Sequence, residues 1–153
     1  MLRFDDPVAI RELTTLTSTR FQIGHDKCLA RFDGDRFLGG VLYTDYNHAS
    51  VQMHVGAVDP RWVDRSILWV AFDWPFRKLN VLKVFGLVRS SNLKALDFDL
   101  NVGFKVEAVL KDVFAPGEDT FVLALYREDC RFLRMRRPPL TFEGIDGQVV
   151  RTT

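Results

Sequence analysis

Cysteine is nearly missing from this chain of 153 residues, with Cys28 and Cys130 the only two. Two thiols cannot build the set of bridges that holds small secreted scaffolds together, and they lack the paired spacing of a zinc site. Both are expected as reduced thiols, and no metal centre is expected. An apolar run of about 18 residues, the length a membrane-spanning helix needs, is also lacking. The opening Met1-Leu2-Arg3-Phe4-Asp5-Asp6-Pro7 carries charge where a secretory leader is apolar. A cytoplasmic chain without a membrane partner is the resulting expectation. Charge of one sign is not in excess either, since 21 Lys+Arg stand against 20 Asp+Glu, a formal net charge of +1. Such a balance gives no global reason to expect nucleic acid as a partner. Internal repeats and low-complexity stretches are lacking too.

What remains is the composition of an ordinary folded domain. Hydrophobic residues make up 47% and charged residues 27%, which excludes wholesale disorder, and the length suffices to bury one full core. Val8, Ile10, Leu13 and Leu16 recur at helical spacings after Asp6-Pro7, a cap followed by a proline in the first turn, and predict a helix over Pro7–Thr17. Asp33-Gly34-Asp35 separates Cys28–Phe32 from Phe37–Thr44, the signature of an antiparallel hairpin. Ser50–Val58 alternates apolar Val51, Met53 and Val55 with Gln52, His54 and Gly56, and so predicts another strand. From Trp62 to Phe76 apolar residues cover every face of a helix that must be largely buried, kinked or ended by Pro75.

Val81–Val88 is a strand by composition, so strand, helix and strand follow one another as in a parallel crossover. Ser91 or Asn92 caps a further helix through Leu93, Leu96, Leu100 and Val102, closed by Gly103. Phe104–Phe114 and Thr120–Tyr126 are two more strands about the Ala115-Pro116-Gly117-Glu118 turn. Arginines 127, 131, 134, 136 and 137 then surround Cys130, Phe132 and Leu133. They read either as the solvated face of a terminal helix or as a surface for an acidic partner or nucleic acid. Residues 1–137 are expected as one domain and residues 138–153 as an extended tail. Gly39-Gly40, within a strand, marks a bulge or a close packing point rather than a phosphate loop.

Several segments in this order resemble the GNAT superfamily of N-acetyltransferases, in particular the branch similar to the ribosomal-protein N-terminal acetyltransferases and small phage-encoded acetyltransferases. The resemblance covers Asp33 to Leu133. It rests on Asp33-Gly34-Asp35-Arg36-Phe37-Leu38-Gly39-Gly40, Val58-Asp59-Pro60-Arg61-Trp62, Asp73-Trp74-Pro75-Phe76, Ser91-Asn92-Leu93-Lys94-Ala95-Leu96, Gly103-Phe104-Lys105-Val106-Glu107-Ala108 and Leu125-Tyr126-Arg127-Glu128-Asp129-Cys130-Arg131-Phe132. It implies an α/β (α+β) fold: a mixed, mostly antiparallel sheet with a central parallel strand pair, flanked by helices. It implies transfer of an acetyl group from acetyl-CoA to a primary amine, on a protein N-terminus, a lysine or a small molecule, by direct attack. The alternative is a non-catalytic interaction protein on the same fold, such as a phage structural or host-modulating protein.

The resemblance also implies the site. Acetyl-CoA is expected in a gap between the fourth and fifth strands of the family, with its pyrophosphate on amides at the start of the next helix, where unpaired N–H groups favour anions. That assigns Val58, Arg61, Asp64, Arg65, Ser66 and Ile67 to cofactor binding, with Asn92 as a cofactor contact or simply a helix cap. The family's loop glycines are replaced: one register holds Val63, Ser66 and Leu68, another Asp64 and Ser66. His54 is the candidate base, or else a satisfied strand histidine. The position matching the family's acidic tyrosine is Asp99, read as ionised and unable to donate, which leaves Tyr126 and Ser91, with Ser90, as candidate acids. Exposed edge strands are compatible with a homodimer.

Overall fold

A short strand that the sequence pattern does not announce begins the computed structural model, which describes residues 1–153: β1 (Leu2–Phe4) pairs antiparallel with β2 (Lys27–Asp33). Between them lies α1 (Pro7–Thr17), started where expected, with the Asp6 carboxylate accepting from the amides of Val8 and Ala9. The Asp33–Asp35 turn, with Gly34 at φ +57°, returns the chain into β3 (Arg36–Thr44), and β4 (Ser50–Ala57) follows antiparallel to it. After one 3-10 turn (Pro60–Trp62) come α2 (Arg65–Asp73), β5 (Lys83–Arg89) and α3 (Leu93–Val102). A long hairpin of β6 (Lys105–Ala115) and β7 (Glu118–Tyr126) precedes β8 (Leu140–Glu143) and β9 (Val149–Thr152). All nine strands form one sheet in the order β6-β7-β5-β4-β3-β2-β1-β8-β9. Only β4–β5 and β1–β8 are parallel pairs, so the mixed, mostly antiparallel sheet with flanking helices is the expected architecture.

Alternate residues of the strands feed two cores, one on each face. Leu42 points to α1 and joins Ala9, Leu13, Phe32 and Phe37. Its neighbours Val41 and Tyr43 point the other way, into the larger core with Ile67, Phe72 and Phe76, where the Tyr43 hydroxyl donates to the Ala71 carbonyl at 2.6 Å. Glycine at 39 is a packing requirement, since a Cβ there would stand 2.7 Å from both Ala57 and the Trp62 ring. The pair Gly39-Gly40 is thus the close packing point and no phosphate loop.

Three expectations need revision. The apolar helix begins at Arg65 rather than Trp62, because Asp59 and Asp64 each cap a separate turn, and Pro75 widens the last turn into a π turn closed by the Leu79 amide on the Trp74 carbonyl at 3.0 Å. The arginine-rich segment is no terminal helix but two 3-10 turns, Arg127–Asp129 and Arg131–Arg134. Its arginines are not a purely solvated stripe: Arg127 donates to the Val81 carbonyl and Arg131 to those of Asn101 and Val102, so they fasten this segment to α3 and to the chain just before β5. Residues 138–153, expected as an extended tail, are extended and pair as the β8–β9 hairpin, held to β1 by the Arg3–Glu143 ion pair at 2.6 Å. No helix is long and apolar enough to cross a membrane.

Candidate active site

Two adjacent parallel strands pair and then part. Ser50, Val51 and Gln52 of β4 lie against Lys83, Val84 and Phe85 of β5, and the ladder ends there. Beyond it Met53–Ala57 continue with β3 only and Gly86–Arg89 with β7 only. The expected gap between the fourth and fifth strands is therefore present. On the larger-core face it is roofed by α2 and α3.

The start of α2 is an anion site with its anion already in place. Asp64 Oδ1 accepts from the amides of Ser66 (2.9 Å) and Ile67 (3.1 Å), from the Ser66 hydroxyl (2.6 Å) and from Arg31 Nη2 (2.6 Å). Partial burial works to raise this carboxyl's pKa, but the hydroxyl, the two amides and the guanidinium outweigh it and hold it below the usual range. A phosphate arriving at these amides has to displace a carboxylate. Nearby, the Arg61 guanidinium is paired with Asp59 at 2.9 Å, Arg65 has no partner, and Val58 is exposed at the end of β4. The structure thus gathers Asp64, Arg65, Ser66 and Ile67 on one turn, with two of its amides spent on the cap.

Beneath this turn the gap narrows. Trp62 is buried and meets Phe98 of α3 with ring centroids 5.8 Å apart, closing the space between the two helices over a cavity of about 10 Å³. That is room for roughly one water. Of the twelve residues around it eleven are hydrophobic, and the exception is Asp99. Its carboxyl makes no hydrogen bond and no ion pair, and burial alone pushes its pKa up to about 7. The expectation that Asp99 is fully ionised at neutral pH is therefore corrected: the apolar surroundings penalise the charge.

The other candidates do not converge. His54 is half-buried, with Nε2 2.7 Å from the Thr44 hydroxyl and Nδ1 3.2 Å from that of Thr19; Thr44 sends its own proton to Asp45. Burial lowers its pKa against the opposing pull of Asp45 and Asp26, so the ring is neutral at pH 7 and both nitrogens are engaged. Tyr126 sits opposite Lys83 at the start of β5 and donates to Glu107 at 3.2 Å, while Ser91 lies beyond the far end of that strand and donates to Glu118 at 2.8 Å. A strand of seven residues, roughly 20 Å, separates Tyr126 from Ser91. The side chain of Asn92 caps α3 by accepting from Ala95 at 3.2 Å.

A feature with no signal in the sequence lies at the paired end of the two strands. There an open cleft of about 1090 Å³ is framed by α1, the segment from Thr19 to Lys27, and Tyr43, Tyr46 and Trp74. Its lining comes from five separated stretches, residues 5–14, 19–27, 43–46, 51 and 74–79, which no local motif reports. Lys27 is paired with Asp5 at 2.8 Å and His25 with Asp26 at 2.8 Å.

The same fold recurs in solved structures. A spermidine/spermine N-acetyltransferase of Vibrio cholerae superposes with a TM-score of 0.69 at 16% identity, over 88% of this chain and 97% of that one. The fold is that of an N-acetyltransferase. The spermidine N-acetyltransferase of the same organism in complex with CoA and spermine gives a TM-score of 0.66 at 17% identity, covering 87% of this chain and 97% of its own. A dodecameric form of that enzyme gives 0.64 at 17%, over 84% and 94%. No family model matches the sequence, and no curated protein does. In this chain the two strands part after Gln52 and Phe85, and two amides at the start of α2 are taken by Asp64.

Proposed function

We propose that this protein is an acetyl-CoA-dependent N-acetyltransferase acting on a primary amine. The observation that carries the reading is the parting of β4 from β5 after Gln52 and Phe85, where Met53 and Val55 border a cavity shared with Ile67 and Leu68 of α2. Backbone groups of Met53–Ala57 that face the gap find no partner on β5, so they are free to orient a thioester carbonyl. Arg65, with support from Arg61, is the charge available to phosphate at the rim. Acetyl-CoA supplies the activated acyl group when bound. The amine enters from the opposite face of the sheet, beside His54, whose neutral ring orients rather than carries charge. The two exposed edges, β6 and β9, leave room for a homodimer or larger assembly.

A second reading has its own observation. The Asp64 cap and the Trp62–Phe98 contact close the entrance an acyl donor needs, as expected of an interaction protein that keeps the fold and not the reaction.

Thermal unfolding and isothermal titration with acetyl-CoA separate the two. A ligand that binds only the native state raises the melting temperature, by about 2.7 kcal/mol of added stability at a hundred times its Kd. Micromolar binding, with desulfo-CoA bound comparably, supports the transferase; absence of heat and of any shift at millimolar acetyl-CoA leaves the interaction protein.

A further inference from the structure

The open cleft at the paired end of β4 and β5 shares no lining residue with the cavity between α2 and α3, so it is a separate feature of the molecule. At about 1090 Å³ it matches the upper end of small-molecule sites, which run to roughly 1,000 Å³. Both of its long walls are built. α1 turns Pro7, Ile10, Arg11 and Thr14 toward it, a stripe at spacings of three and four, while Ala9 and Leu13 on another stripe are buried against the sheet. The opposite wall, residues 19–27, is shaped by a turn in which the Asp26 carboxylate accepts from the Gln22 amide and the His25 ring at 2.8 Å each. The Gln22 carbonyl closes the same turn by accepting from the amides of His25 and Asp26.

Two properties of the lining specify what it takes. One is an aromatic surface: Trp74 is half-buried and backed by Tyr43 with ring centroids 4.8 Å apart, and Phe21 and Tyr46 are half-buried beside the cleft. Ile23, on the shaped wall, is 88% exposed, an apolar side chain that nothing in the chain covers. The other property is charge. Arg11, Arg20 and Lys27 stand against only Asp5 and Asp26. All four oxygens of those two carboxylates are engaged, since Asp5 accepts from Lys27 at 2.8 Å and from the Cys28 amide at 2.9 Å, and Asp26 holds the turn just described. Arg11 bonds only through its carbonyl, and Arg20 makes no hydrogen bond or ion pair. The cleft therefore offers two free guanidinium groups, one from each wall, and no free carboxylate.

We infer that this cleft is a binding site for an aromatic carboxylate, its ring on Trp74 and Phe21 and its carboxylate on Arg11 and Arg20. A guanidinium meets a carboxylate with paired, charge-assisted hydrogen bonds, and a flat ring suits an indole wall. A polycation finds no counter-ion here and is repelled by both arginines. The site is independent of the proposed acetyl transfer.

Isothermal titration of the whole protein with indole-3-acetate tests the inference. Tryptamine, the same ring with an ammonium group, and acetate, the carboxylate without a ring, are the comparison probes. Indole-3-acetate is expected to bind at least tenfold more tightly than either, and more weakly as salt rises from about 0.05 to 0.5 M. Its binding is expected to shift the indole N–H resonance of Trp74, assigned by its loss in Trp74→Phe. The double variant Arg11→Gln, Arg20→Gln alters two exposed side chains without partners, keeps the wild-type melting temperature, and is expected to lose at least tenfold in affinity. Tryptamine binding as tightly, heat with an unmoved Trp74 resonance, an unaffected double variant, or no heat at millimolar indole-3-acetate each overturns the assignment.

Discussion

Asp64, at the head of α2, and Asp99, in the body of α3, illustrate opposite treatments of one side chain. Asp64 stands half in water, yet it collects two amides, a hydroxyl and a guanidinium, and its charge is held on. Asp99 is mostly covered, receives no donor, and its charge is resisted. The difference is not one of burial, which in both cases opposes ionisation, but of whether the backbone offers N–H groups at that point of the helix. A helix start supplies them and a helix middle cannot, because its amides are already bonded within the helix. Thus the same residue is a structural anion at the head of α2 and a carboxyl that resists ionisation in the body of α3.

Trp62 borders the same cavity as Asp99, and removing it gives the largest expected effect. Trp62→Ala deletes a buried indole that packs on Gly39 and on Phe98, at a cost of roughly 3–5 kcal/mol. Urea unfolding measures the loss, and a value under about 1 kcal/mol would show that the ring is no true part of the core. If the variant folds, the environments of the two aspartates should begin to converge, with water reaching Asp99 and its titration moving toward the ordinary carboxylate range.

Next in size is the dependence of stability on pH contributed by Asp99. Its folded pKa of about 7 lies above the usual aspartate value near 3.9, so the unfolded chain loses the proton first. The sign follows: between about pH 4 and pH 7 the unfolded state binds fewer protons than the native one, and this group makes stability fall as pH rises. Asp99→Asn removes that slope and is expected to be the more stable protein at pH 8 by roughly 1–3 kcal/mol, with the two proteins equal near pH 4. Asp59, whose pairing with Arg61 holds it near 2, and Asp64 act in the opposite sense, being most stabilising above pH 4. The difference between the two unfolding curves isolates Asp99, and a difference that does not vary with pH would contradict the burial of its carboxyl.

The sequence carried the frame of this comparison better than its content. Helix ends were legible because their signals are local: Asp6, Asn92 and Gly103 cap where expected, and Gly34 turns the hairpin. β1, three residues long, and the β8–β9 hairpin were not, since each owes its pairing to distant partners, Arg31 for Leu2 and Phe142 for the parallel contact. Of the site, the gap between β4 and β5 followed from the resemblance. The spending of the α2 amides on Asp64 was hidden, although an aspartate two residues before Ser66 is an ordinary cap signal and could have been read as one. The protonation of Asp99 was out of reach, because it depends on side chains from β3, β4, α2 and α3 gathered around one carboxyl.

The smallest expected effect decides where phosphate goes. Asp64→Ala removes a capping carboxylate and costs about 1 kcal/mol of stability, offset in part because the Ser66 hydroxyl remains to satisfy Arg31 at 2.7 Å. At the same time it frees the amides of Ser66 and Ile67 and leaves Arg31 without its anion. If the pyrophosphate of acetyl-CoA uses the head of α2, it competes with Asp64 in the native protein, and the variant binds more tightly; a threefold to tenfold fall in Kd by calorimetry, diminished by salt, is the expected outcome. An unchanged Kd would mean that phosphate rests on the exposed Arg65 instead, and that the cap is permanent. A weaker Kd would mean that the first turn of α2 needs its cap to hold any ligand at all, and Asp64 would then support the site it occupies.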